Sequence, residues 1–348
     1  MTKHNGKSLC ALLLAVLLTL NLCACGGQSQ ESPAPTGETV TDGAGRTLAL
    51  PEEPAEEKIA SVYGTAVPFL VALGLSEQVV AVNAKSSFWT DAVPALDEAG
   101  TVGRGVVDLE ALAASGATVL VHRANDSETV EAVERLGLDV VCISGEDLEG
   151  IYQTLRLLGT YFGREDRAEE VIAWMEGKFE TIDEIVADIP QEERVTALVM
   201  GSEPGRIAGG DMLQSWMIEK AGGISVSAQV TNDSNWMNVG VETVFSWDPQ
   251  YLFCTSSAAL DYRPEELLTD PAWSALAAVE DGRVYQIPAR IDTWDMPGVA
   301  SVLGTFWMLH TMYPDSFSTQ ELEAEIQDYY TFLFGRTFDA DYLGYTLT

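Results

Sequence analysis

Basic residues are scarce in this sequence of 348 residues. The 19 Lys and Arg side chains stand against 53 Asp and Glu, which gives a formal net charge of −34 at pH 7. So few positive charges argue against nucleic acid or anionic lipid as a partner. The 47% hydrophobic content still allows a substantial core, and the length is typical of two domains rather than one small module.

Histidine and cysteine are also rare. Apart from His4 near the N-terminus, the histidines are His122 and His310. A Zn²⁺ or Mn²⁺ site built mainly on imidazoles needs more of them, so we expect no direct metal site. His310 falls in a helical pattern and is expected to be packed, while His122 stays a possible site residue. Cys142 and Cys254 lie in apolar segments typical of buried strands, and we predict no disulfide between them.

The N-terminus has the pattern of an export signal. Lys3 and Lys7 precede an apolar run that ends near Leu22. The run is shorter than the roughly 20 residues that a membrane-spanning helix needs. We therefore interpret residues 1–24 as a cleaved secretory signal, with an uncleaved membrane anchor as the alternative. Residues 25–43 are polar and rich in Gly, Pro, Ser and Thr, which predicts a flexible tether.

The end of this signal resembles the lipobox of bacterial lipoproteins. Leu22 stands at position −3, Ala24 at −1 and Cys25 at +1 of the expected cleavage site. The resemblance implies that Cys25 is diacylated and becomes the first residue of a protein anchored to the membrane only by lipid.

The rest of the chain shows the same order of strands and helices twice. An apolar strand at 58–63 leads to a helix at 66–73, and a second strand at 194–200 leads to a helix at 212–221. Glycine follows each helix, as expected at a helix end. Strands that alternate with helices indicate parallel sheets covered on both faces.

A long helix is predicted between the two halves. Apolar residues recur at spacings of three and four from 165 to 189, which indicates an amphipathic helix of roughly 35 Å. The stripe is too short and irregular for a coiled coil. We therefore predict an α/β protein with two Rossmann-like lobes, each with a parallel sheet, at 44–163 and 191–348. One long helix at 164–190 bridges them.

This order of segments resembles the substrate-binding proteins of ABC importers for iron–siderophore complexes, haem and cobalamin. The stretches that carry the resemblance are 41–47, 72–75, 102–112, 221–223, 236–242, 270–273, 282–285 and 292–297. The resemblance implies a periplasmic-binding-protein-like fold with the ligand cleft between the two lobes. It also implies that this cleft opens little and that there are no catalytic residues and no cofactor. It also implies an ABC permease with its ATPase as partners of a monomeric binding protein.

Candidate ligand contacts follow the predicted strands, because ligands of parallel α/β lobes lie beyond the carboxyl ends of the strands. Arginine suits carboxylate, phosphate or catecholate oxygens, and aromatic rings suit flat chelates. The predicted ligand-binding residues are Tyr63, Trp89, Arg104, Arg206, Trp236, Arg290 and Trp294. The alternative for each aromatic residue is packing inside a lobe. For each arginine, and for Arg123 at another strand end, the alternative is a solvated loop position or pairing with a nearby carboxylate.

Two further sets of residues are candidates. In the loop Gly209-Gly210-Asp211, backbone N–H groups could bind an anion, or Asp211 could cap the next helix. The resemblance implies acidic docking residues for the permease, with Glu128 or Glu131 in the first lobe and Glu265 or Glu266 in the second. We select Glu128 and Glu265.

These features favour an extracytoplasmic, lipid-anchored solute-binding protein that captures an iron–siderophore-type chelate and delivers it to a permease. Cobalamin, haem or an oxyanion such as molybdate is the alternative cargo. A related lipoprotein that senses rather than transports stays open. A lipid-anchored hydrolase is more remote, because a nucleophile needs a converging base and orienting group. The sequence has few histidines and no Gly-x-Ser-x-Gly motif.

Overall fold

The computed structural model describes residues 37–84, 92–231, 236–256, 260–339 and 343. The strands are β1 Thr39–Thr41, β2 Thr47–Ala49, β3 Ile59–Ala60, β4 Val79–Val82, β5 Gly100–Thr101, β6 Val119–Arg123, β7 Asp139–Ile143, β8 Thr196–Met200, β9 Arg206–Ile207, β10 Ile224–Ser225, β11 Met237–Asn238, β12 Tyr251–Cys254 and β13 Val284–Gln286. The α-helices are α1 Ala66–Ala72, α2 Leu109–Ala114, α3 Ser127–Glu134, α4 Leu148–Tyr161, α5 Glu165–Ala187, α6 Leu213–Lys220, α7 Val241–Trp247, α8 Pro264–Leu267, α9 Ala277–Glu280, α10 Ser301–Met312 and α11 Thr319–Phe334.

Two separate sheets organise the chain, as the sequence predicts. The first sheet has the strand order β5-β4-β3-β6-β7, and its neighbouring strands are all parallel. A small antiparallel hairpin of β1 and β2 precedes it. We call this sheet and its helices the first lobe. Helices that connect parallel strands cover the faces of such a sheet.

The second sheet, with its helices, forms the second lobe and corrects one part of the prediction. Its order is β11-β9-β8-β12-β13, with β10 also paired to β8. Strands β10, β8, β12 and β13 are parallel, but β9 runs antiparallel to β8 and β11 antiparallel to β9. The sheet is therefore mixed. The chain reverses through a tight turn at Gly205, with φ of 82°, and so short a connection permits only antiparallel pairing.

Helix α5 is the predicted long helix between the lobes. Its buried residues, Ala168, Val171, Ile172, Met175, Phe179, Ile182 and Val186, keep the predicted spacing of three and four. The helix packs on α4 in the first lobe and on α6 and α10 in the second. One hydrophobic cluster runs through residues of both lobes and of α5, so the bridge is part of the core. The lobe boundaries at 163 and 191 stay a prediction.

Arg167 of α5 joins the last helix to the first. Its Nε donates to the carbonyl oxygen of Ala72, at the end of α1, at 2.9 Å. Its Nη2 donates to the carbonyl oxygen of Phe332, in the last turn of α11, at 3.2 Å. The guanidinium carbon also lies 4.4 Å from the centre of the Phe332 ring. A cation at two helix C-termini is favourable, because unpaired carbonyl groups point out there.

The cysteines and His310 are buried, as predicted. Cys142 lies in β7 and Cys254 in β12, and both are free thiols. Burial raises the pKa of Cys142 to about 11 and that of Cys254 to about 12. Nδ1 of His310 lies 2.8 Å from the carbonyl oxygen of Phe317. In the described ranges, no helix combines the length and apolar character that crossing a membrane requires.

Candidate functional site

The carboxyl ends of the first sheet bring together Tyr63, Arg123 and Glu146. Tyr63 follows β3 and is half-buried. Burial raises the pKa of Tyr63, and the nearby Glu146 carboxylate adds to this rise while Arg123 opposes it. Nη2 of Arg123 donates to Oδ2 of Asp126 at 3.1 Å, so this arginine already has a carboxylate partner.

Glu146 is a site residue that the sequence prediction missed. It follows β7 closely and is accessible to solvent. Even so, surrounding protein reduces its hydration and, with the charge of Asp147, raises the pKa of Glu146. Gly145 has φ of 122°, and a Cβ there would lie 2.6 Å from Cα of Gly150. The sequence signal that could have pointed to Glu146 is Gly145, a glycine that turns the chain sharply after a buried strand.

Arg206 and Trp236 lie together beside the end of β8. Arg206 pairs with Asn238 across β9 and β11, and Trp236 directly precedes β11. A Cβ on Gly201 would lie 2.8 Å from Cε3 of Trp236, so the ring packs over that glycine. The N–H of Gly201 donates to the carbonyl oxygen of Arg206 at 2.6 Å. The structure therefore brings these two predicted residues together, and both are half-buried.

Arg290 and Trp294 lie on the loop after β13. Arg290 is exposed. Trp294 is 1% exposed and belongs to the core, which supports the packing alternative for this ring. The loop also contains two buried carboxylates, Asp292 and Asp295.

The other predicted residues are dispersed. Arg104 is exposed after β5, and within the described part of the chain neither Arg104 nor Arg206 takes part in an ion pair. Glu128 and Glu265 are exposed in the first turns of α3 and α8. Cys25 and Trp89 lie outside the described residues.

In the loop before α6, the predicted helix cap by Asp211 is wrong, and the N–H of Gly210 is already engaged. An anion contact by the other N–H groups of this loop stays a prediction. The N–H of Gly210 donates to the carbonyl oxygen of Val230 at 2.6 Å, so it cannot serve an anion. The helix N-cap is Met212 rather than Asp211, and no side chain caps the helix. The chain stays extended through Met212, with φ of −92° and ψ of 152°, so the first helical residue is Leu213.

The two lobes meet at this helix start. The N–H of Leu213 donates to the carbonyl oxygen of Glu146 at 3.1 Å. Beside this bond is an open pocket of about 320 Å³, which we call the inter-lobe pocket. It is lined by Asp147, Leu148 and Glu149 from the first lobe and by Gly210, Asp211, Met212 and Trp216 from the second. The carboxylates in this lining make the pocket unfavourable for an anion.

His122 does not lie free in the site. It is 2% exposed, and Nε2 lies 3.0 Å from Oδ2 of Asp126. Burial lowers the pKa of His122, although the hydrogen bond to Asp126 opposes the shift. Asp126 also accepts from the N–H of Thr129 as the N-cap of α3. Among the described residues, no group of three or more His, Cys, Asp and Glu side chains is placed to hold a metal ion.

Known proteins share this arrangement. Residues 59–291 match the family described as Periplasmic binding protein. An uncharacterised ABC transporter substrate-binding lipoprotein of Bacillus subtilis, YvrC, is 21% identical over 88% of this chain and 96% of its own length. The molybdate-binding protein MolA of Haemophilus influenzae is 23% identical over 56% of this chain and 54% of its own length.

Solved structures show the same two-lobe fold. MolA bound to molybdate superposes with a TM-score of 0.72 at 19% identity, covering 87% of this chain and 99% of that one. A periplasmic solute-binding protein of Veillonella parvula gives a TM-score of 0.70 at 22% identity, covering 88% of this chain and 95% of that one. The family match spans most of the chain and agrees with the two sheets, the long helix and the facing strand ends, so the chain belongs to the periplasmic binding protein family.

Proposed function

We propose that this protein is the extracytoplasmic substrate-binding component of an ABC importer, anchored by lipid at Cys25. It captures an iron–siderophore-type chelate between the lobes and delivers it to the permease. The observation that carries the proposal is the contact between the lobes. The N–H of Leu213, at the start of α6 in the second lobe, donates to the carbonyl oxygen of Glu146, which follows β7 in the first lobe. The likeness to a substrate-binding lipoprotein over 96% of the relative's length supports both the transport role and the anchor.

The proposed ligand contacts come from both lobes. Tyr63 and Arg104 face the ligand from the first lobe, and Arg206, Trp236 and Arg290 from the second. Arg104 and Arg206 take part in no ion pair within the described part of the chain. Guanidinium groups suit the oxygen atoms of an anionic chelate, and the exposed parts of the rings suit its apolar framework. Trp89 stays a proposed contact. Trp294 is not among these contacts, because the core buries its ring. It supports the loop that bears Arg290.

Molybdate is the second candidate cargo, and the likeness to MolA favours it. The charge distribution weighs against a small oxyanion near the inter-lobe pocket, because Glu146, Asp147 and Glu149 would repel it. A larger chelate can place its anionic oxygens at the arginines and a neutral or cationic part at these carboxylates. We therefore rank the chelate above the oxyanion.

Permease docking is assigned to Glu128 and Glu265. Both carboxylates are exposed, one on each lobe, so a permease with basic pockets could meet both at once. Charge reversal at both positions should slow transport in cells and leave binding of the cargo unchanged.

Thermal shift measurements test the cargo. The domain without signal and lipid is screened against ferric siderophores, haem, cobalamin, molybdate and tungstate. A ligand present at 100 times its dissociation constant stabilises the folded state by about 2.7 kcal/mol, which gives a clear rise in melting temperature. One cargo class should raise it, and a flat response to the whole panel would overturn the cargo assignment.

Arginine variants test the contacts. Arg206→Ala or Arg290→Ala should weaken binding of the active panel member by roughly tenfold or more, because each removes charge-assisted hydrogen bonds. Arg135→Ala is the matched control, since the Arg135 side chain, at the C-cap of α3, is 71% exposed. If Arg206→Ala, Arg290→Ala and Arg104→Ala all bind as the control does, the arginine contacts are wrong.

A further inference from the structure

The loop after β13 holds two carboxylates that direct ligand contact does not explain. Asp292 is 5% exposed and Asp295 is 0% exposed. A buried carboxylate is costly unless hydrogen bonds compensate for its lost hydration. The partners of these two residues therefore show what they stabilise.

Asp295 joins three elements of the second lobe. Its carboxylate accepts hydrogen bonds from Oγ1 of Thr255 and, at 3.0 Å, from Oγ of Ser256. The N–H of Ser256 donates to it as well, at 3.3 Å. Nε2 of Gln214, in the first turn of α6, donates to the carbonyl oxygen of Asp295 at 2.6 Å. The end of β12, the start of α6 and the loop after β13 thus converge on this residue.

Asp292 gives the same loop a second attachment. Its Oδ2 accepts from the hydroxyl group of Tyr329 at 2.9 Å. Tyr329 lies on α11 and is 1% exposed. Between the two carboxylates, Trp294 fills the core. The exposed Arg290 lies two residues before Asp292. The hydrogen bonds of Asp292 and Asp295 therefore restrict where the backbone of Arg290 can lie.

We propose that Asp295, with Asp292 as the second attachment, is a positioning residue that fixes the loop bearing Arg290 against the ends of β12 and α6. The proposal rests on the proposed function, because Arg290 then meets the ligand from a preset position. When a loop is already fixed before binding, less conformational entropy is lost as the ligand binds. A site held by a second layer of hydrogen bonds keeps its geometry better than a free loop.

The bonding pattern makes substitutions informative. A carboxylate only accepts, whereas an asparagine has one accepting oxygen and a donating amide. In Asp295→Asn, one of the two accepting oxygens is therefore replaced by a donating amide, and the negative charge is lost. The hydroxyl group that faces this amide must then accept instead of donating, which weakens the attachment. Thr255→Val removes the hydroxyl group at nearly constant shape, and Thr255→Ser keeps the hydroxyl group but loses a methyl group. The two threonine variants separate the hydrogen bond from packing.

Hydrogen exchange without ligand is the first measurement. Peptides that cover 253–256 and 288–298 should exchange roughly tenfold faster in Asp295→Asn and Thr255→Val than in wild type, because the loop opens locally more often. Thr255→Ser should exchange like wild type. Asp315→Asn, at an exposed aspartate of the same lobe, is the matched control. Unchanged exchange in the first two variants overturns the proposal, and so does Thr255→Ser loosening the loop as much as Thr255→Val.

Binding is the second measurement, with sodium molybdate and a ferric hydroxamate complex as probes. A probe that binds wild type should bind Thr255→Val roughly tenfold more weakly, while Thr255→Ser retains wild-type affinity. A loosened loop with unchanged affinity overturns the link between Asp295 and the ligand. If neither these probes nor the wider panel binds wild type, the proposed function has failed, and the exchange result still decides whether Asp295 fixes the loop.

Discussion

The main-chain N–H of Leu213 donates to the main-chain carbonyl oxygen of Glu146 at 3.1 Å. The first N–H groups of a helix have no partner within it, and no side chain caps α6. The first lobe therefore supplies the acceptor that the helix of the second lobe lacks. The Glu146 carboxylate also lies near enough to Tyr63 to add to the rise in the pKa of Tyr63, which burial mainly causes.

Glu146→Gln is expected to strengthen binding of a small oxyanion such as molybdate, which has no neutral or cationic part to place at this carboxylate. Removing one negative charge a few ångströms from the ligand is worth about 1 kcal/mol, or roughly fivefold in affinity. The pKa of Glu146 is raised, so the wild-type carboxylate loses its charge at a higher pH than an ordinary glutamate. The advantage of the variant should therefore shrink as the pH falls from about 8 to about 5. Titration calorimetry with molybdate measures both effects.

The control is Glu77→Gln, at an exposed glutamate in the turn before β4. Because it precedes a strand of the parallel sheet, it lies at the opposite edge from Tyr63. Equal affinities of the Glu146 and Glu77 variants would show that Glu146 does not face the ligand.

Asp292 should make stability fall as the pH rises. Burial raises the pKa of Asp292 to about 7, against a starting value of 3.8, so the folded state keeps a proton that the unfolded chain releases. The destabilisation caused by the buried Asp292 carboxyl group is absent below about pH 4 and grows between about pH 4 and pH 7. Above pH 7 it reaches up to about 4 kcal/mol. Asp292→Asn keeps an acceptor for Tyr329 and should be more stable than wild type at about pH 8. Denaturant unfolding across this range, with Asp315→Asn as control, should show a flatter slope for Asp292→Asn alone.

Arg167→Ala should destabilise the fold by about 2 kcal/mol, because it removes two hydrogen bonds to helix C-termini and a ring contact. Arg156→Ala is the control. Arg156 pairs with Glu169 at 2.8 Å on the surface, and such pairs contribute less than about 1 kcal/mol. Urea denaturation of both variants gives the comparison. Equal losses of unfolding free energy in the two variants would contradict this prediction. The contacts of Arg167 with Ala72 and Phe332 would then stabilise the fold no more than an ordinary surface ion pair does.

Two glycines should respond to alanine in opposite directions. Gly177 lies inside α5 with nothing within 4 Å of an added Cβ, so Gly177→Ala should stabilise by about 1 kcal/mol. A Cβ at Gly210 would lie 2.1 Å from the carbonyl oxygen of Ala228, so Gly210→Ala should destabilise by about 1–3 kcal/mol. Melting temperatures that move in the same direction would contradict the close packing before α6.

Local patterns predicted the elements better than their tertiary relations. The spacing of apolar residues identified α5, because one helix face must be buried whatever it packs on. The antiparallel reversal through β9 and β11 was missed, because both strands have two residues and carry no periodicity. The rule that ligands lie at strand ends selected Arg206 and Trp236, which the fold brings together, and also Trp294, which the core buries. No sequence signal distinguishes a strand-end residue that stays accessible, such as Trp236, from one that the core buries, such as Trp294.

The polar residues of the site were hardest to predict. Asp292 and Asp295 are ordinary acidic residues in a sequence that has 53. Their burial depends on Tyr329 and Thr255, which are distant in sequence and approach only in the folded chain. Glu146 likewise becomes a boundary residue only when α6 of the second lobe reaches it.

Hydrogen exchange with and without the active panel member tests the ligand position most directly. Binding between the lobes predicts protection in 63–65 and 144–148 of the first lobe together with 201–213 and 288–295 of the second. Protection confined to one lobe, or to the opposite edges of the sheets, would contradict a ligand held where the two sets of strand ends meet.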